Sequence, residues 1–229
     1  MMSSTAMIWS GLPTLCRGMG ISLLLVASSL SAGLLLGVPL GVAHVYAPRI
    51  VRMPLWIFDQ IFRGFPTIVL LFLVYFGVGS LPSVSIQPIV AVILVLGLRS
   101  AAYQAQIYRG ALEMIDRGQS EAARALGFTL TRTIVSILIP QAARYALPSL
   151  SNEYSILLKD TALAFTVGVI DLMSRAKFLA MRSRETLIVY LLVAAIYFVL
   201  THGGIALFRA VERGVAIPGI GPQRARRQL

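Results

Sequence analysis

Long apolar runs constrain this chain more than any other feature, because a water-soluble core cannot hold them all. A membrane-crossing helix needs about 20 mostly apolar residues, and the chain contains five such runs, at 19–45, 55–78, 86–108, 146–172 and 186–208. Charged residues make up only 13% of the 229 residues, whereas soluble proteins average about 25%. The sequence therefore predicts an all-α membrane protein with five transmembrane helices.

The opening run is expected to be a retained helix. A secretory signal peptide also begins with a positive charge before an apolar stretch, as Arg17 does here, but this run is too long for one. Its small residues Gly33, Gly37 and Gly41 would permit close packing against another helix. A disulfide scaffold is excluded, because Cys16 is the only cysteine.

The net charge of +11 is better explained by membrane topology than by nucleic acid, because most basic residues lie between the apolar runs. They are more numerous on the side that holds the connection 109–145 and the carboxyl terminus. The positive-inside rule then places the amino terminus outside and the carboxyl terminus in the cytoplasm. The predicted parts are an extracytoplasmic segment 1–18, a transmembrane domain 19–213 and a cytoplasmic tail 214–229. No nucleic-acid partner is expected.

The connection 109–145 is long for a compact domain, and such length usually indicates function. Ser120 can begin a short helix, and Gly127 can end it in the left-handed conformation. Pro140 would close a second amphipathic segment that contains Ile137. Two short helices on the membrane surface are therefore predicted, although the same pattern is typical of a helix that merely rests on lipid.

The residue spacing in this connection resembles the loop shared by the permease subunits of bacterial ATP-binding-cassette (ABC) importers. The residues concerned are Gly118, Glu121, Ala122, Ala123, Gly127, Ile137 and Pro140. Similarity to the polar amino acid permeases, the histidine/glutamine permease-like family of type I importers, extends over about residues 11–213. Its segments are 62–66, 71–77, 101–111, 140–142, 147–148, 151–153, 159–161 and 164–165. Phe65, Gln106 and Ile139 depart from the threonine, glutamate and leucine that are frequent there.

The resemblance implies a subunit that imports polar amino acids, including basic ones or related compounds, across the bacterial cytoplasmic (inner) membrane. Its loop would couple to one of two cytoplasmic ATPases, which would bind the ATP and Mg²⁺. The chain would pair with a copy of itself or with a homologous permease subunit, and an extracytoplasmic binding protein would deliver the substrate. An ion-gradient-driven secondary transporter or channel is the alternative class.

No enzyme site is predicted for this chain. It lacks the Gly-x-x-x-x-Gly-Lys-Ser/Thr phosphate loop, so ATP hydrolysis would belong to a partner. The single cysteine cannot form a metal cluster, and His44 and His202 have no second ligand at a useful spacing. We therefore expect no catalytic residue, no metal and no cofactor bound by this chain.

Ionisable side chains inside the predicted spans need partners, because a charge at mid-bilayer costs at least about 2.5–3.5 kcal/mol. Asp59 and Arg63, four residues apart, are expected to pair. The candidate substrate pathway consists of Arg99, Tyr103, Gln106, Asn152, Glu153, Lys159 and Asp160. Its charges form either a neutral network that holds the helices together or a polar cavity that binds the carboxylate and amino groups of an amino acid. On the second interpretation, Glu153 and Asp160 favour substrates with a cationic end.

Four basic residues fall on the extracytoplasmic side, against the general charge bias. They are Arg175, Lys177, Arg182 and Arg184. They form either a solvated loop or, as the resemblance implies, a docking site for acidic patches on the binding protein.

Overall fold

The structure is a computed structural model that describes residues 4–82 and 85–215, and most of these residues are helical. The helices of the amino-terminal part are α1 (Ser4–Tyr46), α2 (Arg49–Gly64), α3 (Thr67–Phe72) and α4 (Pro88–Glu113). Those that follow are α5 (Arg117–Ala125), α6 (Leu130–Thr133), α7 (Ile139–Asp160), α8 (Leu172–Ser183) and α9 (Thr186–Val215). The two described ranges contain no strand, in agreement with the predicted all-α class. The predicted tail lies, from residue 216 onward, outside the described residues.

Three helices in the described ranges are long and apolar enough to cross a membrane: Ser10–Tyr46 within α1, all of α4, and α9. The segment from Arg49 to Ser80 makes a fourth if its two bent halves count as one span. Helix α7, the least apolar of the predicted spans, does not meet the same measure. The prediction of a helical membrane protein is therefore confirmed, and the number of five spans stays a prediction.

The second predicted span is broken, although its sequence reads as one apolar run. Phe65 has an extended backbone with φ −86° and ψ 145°, as expected for a residue that precedes a proline. Beyond Pro66, α3 continues through a π-helical turn (Leu73–Gly77) and a short 3-10 turn (Val78–Ser80). The chain bends by 104° between the two halves, and α2 packs against α1 and α4.

The contact between α1 and α4 is the most extensive helix pair of the described residues. Gly33, Gly37 and Gly41 face α4, and a Cβ atom added to Gly37 would lie only 2.7 Å from the Cβ of Gln104. The buried Gln104 donates a hydrogen bond from Nε2 to the Leu30 carbonyl oxygen, at 3.0 Å. The prediction that these glycines permit close helix packing is confirmed.

Helix α5 lies in the connection between α4 and α7, but Ser120 does not begin it. Asp116 is the N-cap, and its carboxylate accepts a hydrogen bond from the Gly118 backbone N–H at 2.7 Å. Asp116 can do this because it directly precedes the first helical residue, where the N–H groups have no intrahelical partner. Gly127 follows α5 with φ +80°, as predicted for a residue that ends a helix in the left-handed conformation.

The prediction that Pro140 closes the second segment is wrong. Helix α6 continues through a π-helical turn (Ile134–Leu138) directly into α7, and Pro140 lies in the first turn of α7. The widened turn before Pro140 accommodates a residue that has no N–H to donate and whose ring would clash with an α-helical carbonyl. The second segment is thereby the foot of a much longer helix.

After Asp160 the chain tightens into a 3-10 helix (Thr161–Val167) that ends at Gly168, with φ +91°. Asp171 then caps α8, because its carboxylate accepts a hydrogen bond from the Ser174 N–H at 2.9 Å. Helix α8 packs against α1 and α9, through a core that includes Leu15, Leu172 and Val193. The predicted fourth span therefore contains most of α7 and the 3-10 helix before α8.

Candidate functional site

An ion pair between Arg99 and Asp160 joins α4 to the end of α7. Arg99 Nη1 lies 3.0 Å from Asp160 Oδ2. Thr67 Oγ1 donates a hydrogen bond to the same carboxylate oxygen at 3.4 Å, which brings α3 into the contact. The Arg99 side chain is nearly buried, whereas that of Asp160 keeps 23% of its surface exposed. Asp160 is therefore the member of the pair that an approaching polar molecule can reach.

Tyr103 lies between two guanidinium groups. Its ring centroid is 4.6 Å from Cζ of Arg99 and 5.1 Å from Cζ of Arg63, both within the range of a cation–π contact. Arg63 thus contacts α4, and the predicted Asp59–Arg63 ion pair is absent from the described residues. The physical reason is that Asp59 has closer partners on the neighbouring helices.

Glu153 completes the group of charges between α4 and α7. Glu153 is 2% exposed, and its Oε1 has no hydrogen-bond partner among the described residues. The charges of Arg99, Asp160 and Arg63 all act on its carboxylate. We call Arg63, Arg99, Glu153 and Asp160, with Tyr103, the central cluster; its two arginines and two acids balance in formal charge.

Gln106 belongs to a second polar cluster, nearer the end of α4. Its Nε2 donates a hydrogen bond to Asp59 Oδ2, and the same oxygen lies 2.8 Å from His44 Nε2. Arg109 Nε donates to Gln106 Oε1 at 2.8 Å. We call His44, Asp59, Gln106 and Arg109 the Asp59 cluster. Gln106 therefore lies apart from Arg99, although both were predicted to belong to one substrate pathway.

Two further candidate residues also lie outside the central cluster. Asn152 and Lys159 are exposed on α7, and Asn152 lines a separate groove with Arg209 and Glu212 of α9. Of the predicted pathway residues, the structure brings together Arg99, Tyr103, Glu153 and Asp160.

The central cluster has the chemistry to hold a zwitterion. A guanidinium group binds a carboxylate through two parallel hydrogen bonds, and a carboxylate binds an ammonium group. In the observed state Arg99 and Asp160 satisfy each other. A substrate with both charges could replace that pair without leaving either residue uncompensated, which keeps the cost of a buried charge low.

Helix α5 presents most of the predicted coupling residues at the surface. Glu121 and Ala122 are exposed, as are Gly118 and Gly127. Ala123 is buried and holds the helix against the rest of the chain.

Outside α5, Pro140 is exposed at the start of α7 and Ile137 is half-buried in the π-helical turn. Leu126 follows directly after α5 and is 77% exposed. Sequence reasoning did not single out Leu126; the available signal was a large apolar residue directly before the glycine that ends a polar helix.

The basic residues after the fourth predicted run lie on or next to an ordered helix, not on a solvated loop. Lys177 and Arg182 are exposed on α8, and Arg184 directly follows it with a left-handed backbone, φ 60°. Arg175 is half-buried, and its Cγ lies close to Gly18 of α1. Three of the four charges are therefore available to a partner, and Arg175 is the exception.

Sequence reasoning missed Thr67 and placed Arg63 with the wrong partner. Thr67 and Asp160 are 93 residues apart, and no short-range pattern connects them. The contact of Arg63 with Tyr103 depends on the bend at Pro66, since that bend determines which face of α2 meets α4. A proline after Phe65 was the one available signal for the bend.

Comparison with known proteins identifies one family. Residues 33–217 match the family described as "Binding-protein-dependent transport system inner membrane component". The histidine/lysine/arginine/ornithine transport system permease protein HisM of Salmonella typhimurium is 36% identical over 205 residues, which cover 86% of this chain and 87% of HisM. The probable amino-acid permease protein YxeN of Bacillus subtilis is 36% identical over 211 residues, which cover 91% of this chain and 94% of YxeN.

The fold is also similar to solved structures. A crystal structure of an amino acid ABC transporter with histidines matches with a TM-score of 0.82 at 29% identity, covering 94% of this chain and 100% of the solved chain. An inward-facing structure of the MetNI methionine ABC transporter matches with a TM-score of 0.78 at 23% identity, over 89% of this chain and 97% of that one. The second likeness concerns the fold alone.

Proposed function

Since the chain belongs to the family of inner membrane components of binding-protein-dependent transport systems, we propose that it is the permease subunit of an ABC importer for amino acids. The observation that carries this conclusion is 36% identity, over nearly the whole chain, to permeases named for amino acid transport. The chain is then a transport component rather than a catalyst. ATP and Mg²⁺ would bind to its partner ATPase, and a secondary transporter or channel receives no support from these relatives.

The proposed substrates are polar amino acids, with a preference for a cationic side chain. The printed name of HisM includes lysine, arginine and ornithine. In this chain the reachable acid of the central cluster is Asp160, and Glu153 is buried in the same cluster. An ammonium or guanidinium group on the substrate would meet these carboxylates, while Arg99 would take the substrate carboxylate. For these contacts to serve transport, the substrate would pass through the membrane along the central cluster.

The test of this function is uptake of radiolabelled lysine and glutamine into proteoliposomes that hold the whole importer, with ATP inside and saturating binding protein outside. Asp160→Asn keeps the shape of the side chain and removes its charge. Loss of a hydrogen bond to a charged group is worth about 1.5–3 kcal/mol, so lysine uptake should fall by about tenfold or more. Glutamine uptake should fall less.

Glu113→Gln is the matched control, because Glu113 is an exposed acid of α4 whose ion-pair partner is Arg109, with a side chain that is also exposed. It should leave both uptake rates within about twofold of the unaltered protein, since exposed ion pairs contribute little. Equal losses of lysine and glutamine uptake in Asp160→Asn would contradict the proposed cationic preference. No uptake of any amino acid by the unaltered importer would contradict the function itself.

The proposed assembly has two permease subunits, either identical or homologous, with two cytoplasmic ATPases and an extracytoplasmic binding protein. Large apolar side chains remain exposed on the π-helical turn after α3 and on α9, among them Leu73, Phe76, Leu191 and Phe198. Such residues suit contact with lipid or with a second permease subunit. The amino terminus would lie outside and the carboxyl terminus inside, so that α5 faces the cytoplasm.

Within that assembly, α5 would dock on an ATPase. Its exposed polar residues and the adjoining Leu126 form a short protruding surface. Helix α7 follows α6 and the π-helical turn without a break, so movement of this connection can be transmitted along α7 to Glu153 and Asp160. Lys177, Arg182 and Arg184 would guide the binding protein on the opposite side.

A further inference from the structure

A polar cavity of about 390 Å³ lies between α1, α2 and α4. Three arginines line it, Arg52, Arg63 and Arg109, together with Trp56, Gln60 and the other members of the Asp59 cluster. The cavity thus gathers side chains from the end of α1, one face of α2 and the last turns of α4. No step of the proposed transport mechanism uses Arg52, Trp56 or Gln60.

The cavity has an excess of positive charge. Its one carboxylate, Asp59, is 3% exposed and already in contact with His44 and Gln106. Arg109 has an ion-pair partner in Glu113, at 3.1 Å. Within residues 4–82 and 85–215, neither Arg52 nor Arg63 has a carboxylate within ion-pair distance. Arg52 is therefore free to bind an anion, and Arg63, whose charge also acts on Glu153 of the central cluster, lies beside it in the cavity lining.

The position of the cavity matches the boundary of a membrane. Gln106 and Arg109 lie seven and four residues before the end of α4, or about 10 Å and 6 Å along the helix axis. Trp56 lines the cavity and is 59% exposed, and tryptophan side chains are enriched at the level of lipid headgroups. The connection to α5 begins directly beyond Glu113, so the cavity lies at the same end of the bundle as α5.

Helix α2 carries an apolar face opposite the one that lines the cavity. Arg52, Trp56 and Arg63 follow the helical spacing of one face, whereas Ile50 and Ile57 lie on the other and are both exposed. These exposed apolar side chains suit contact with lipid, as expected for an amphipathic helix at the membrane interface.

We propose that this cavity binds the phosphate of an anionic phospholipid headgroup, taken from the leaflet at the α5 end of the bundle. The guanidinium groups of Arg52 and Arg63 donate to the phosphate oxygens, since arginine forms paired hydrogen bonds with phosphate. Basic pockets between membrane helices are suited to such headgroups. Arg63 also contacts Tyr103, so a bound headgroup fixes α2 against α4 beside the central cluster.

The inference does not depend on which solute is carried, and its test needs no transport. The assembled importer is placed in nanodiscs of phosphatidylcholine alone or of phosphatidylcholine with phosphatidylglycerol. Phosphatidylglycerol that remains bound to the released complex is titrated by native mass spectrometry. We expect phosphatidylglycerol to be retained in preference to phosphatidylcholine by the unaltered complex.

The variants are Arg52→Gln and the double variant with Arg63→Gln, compared with Arg49→Gln. Arg49 is exposed on the same helix and does not line the cavity, so its loss removes the same charge without touching the site. A hydrogen bond to a charged group corresponds to about tenfold in binding, so binding should weaken about tenfold in Arg52→Gln and about 100-fold in the double variant. Arg49→Gln should change it by less than about twofold. Because Arg52→Gln leaves the Arg63–Tyr103 contact intact, it keeps the test decisive even if the double variant fails to fold.

Two results would overturn the proposal. Equal weakening by Arg49→Gln and Arg52→Gln would reduce the effect to general attraction of a basic surface. The second concerns a soluble anion: inorganic phosphate, added to complexes in phosphatidylcholine alone, could protect the cavity arginines from modification by phenylglyoxal. Such protection, without further protection by phosphatidylglycerol, would assign the site to free phosphate instead.

Discussion

Gly37 provides a quantitative test of the packing between α1 and α4. In Gly37→Ala the new Cβ would lie 2.7 Å from the Cβ of Gln104 and 3.0 Å from the carbonyl oxygen of Ala101. Carbon atoms in contact normally stay about 3.5–4.0 Å apart. The two helices would therefore have to separate by about 1 Å, and this separation would also disturb the buried Gln104 hydrogen bond to the Leu30 carbonyl oxygen.

Two opposing terms set the size of the effect. Overpacking of a well-packed contact costs about 1–3 kcal/mol, whereas replacing glycine by alanine inside a helix gains up to about 1 kcal/mol. Gly20 lies on the same helix with nothing within 4 Å of an added Cβ, so Gly20→Ala should show the gain alone. The difference between the two variants isolates the packing cost, expected at about 1–3 kcal/mol in the free energy of unfolding.

The assay is reversible unfolding in mixed micelles with increasing dodecyl sulfate, followed by circular dichroism. Gly20→Ala should be equal to or more stable than the unaltered protein, and Gly37→Ala should be less stable than Gly20→Ala. Equal unfolding free energies for the two variants would refute the close approach of α1 and α4 at Gly37.

Two further predictions concern the surfaces proposed for partners. Gly127→Pro should abolish the ATP hydrolysis that the binding protein stimulates, because proline cannot adopt the φ of +80° found there. Asparagine tolerates that backbone, so Gly127→Asn should keep most of this hydrolysis. Equal activity of the two variants would argue against the role of this turn. Replacing Arg182 and Arg184 together by glutamate should slow association with the binding protein about tenfold or more at low salt, and less at high salt. Surface plasmon resonance at two ionic strengths measures this association rate. A change that does not depend on salt would count against electrostatic docking.

The architecture of the apolar helices could be predicted from sequence because hydrophobicity and length are local properties. The runs at 19–45, 86–108 and 186–208 correspond to α1, α4 and α9. Gly127 could also be predicted, since a glycine after a short polar helix has one well-defined backbone use. The close packing at the glycines of α1 could be predicted as well, because a residue without a side chain lets another helix approach.

The predictions were wrong where a local sequence signal competes with a second local signal or with contacts between helices. Pro66 and Pro140 are both proline residues within apolar sequence, yet the chain bends by 104° at one and continues helically past the other. A π-helical turn before Pro140 makes the difference, and composition does not encode it. Asp59 likewise had an acceptable partner four residues away, but its contacts come from α1 and α4, which no spacing rule connects.

The central claim is that this chain couples amino acid import to ATP hydrolysis on a partner. Its most direct test is to measure ATP hydrolysis and amino acid uptake in the same proteoliposomes, which contain the chain with its partner subunits and are supplied with liganded binding protein. The account predicts hydrolysis stimulated by the liganded binding protein, with uptake that needs ATP and no ion gradient, and loss of both in Gly127→Pro. Uptake driven by an ion gradient without ATP, unchanged in Gly127→Pro, would contradict it.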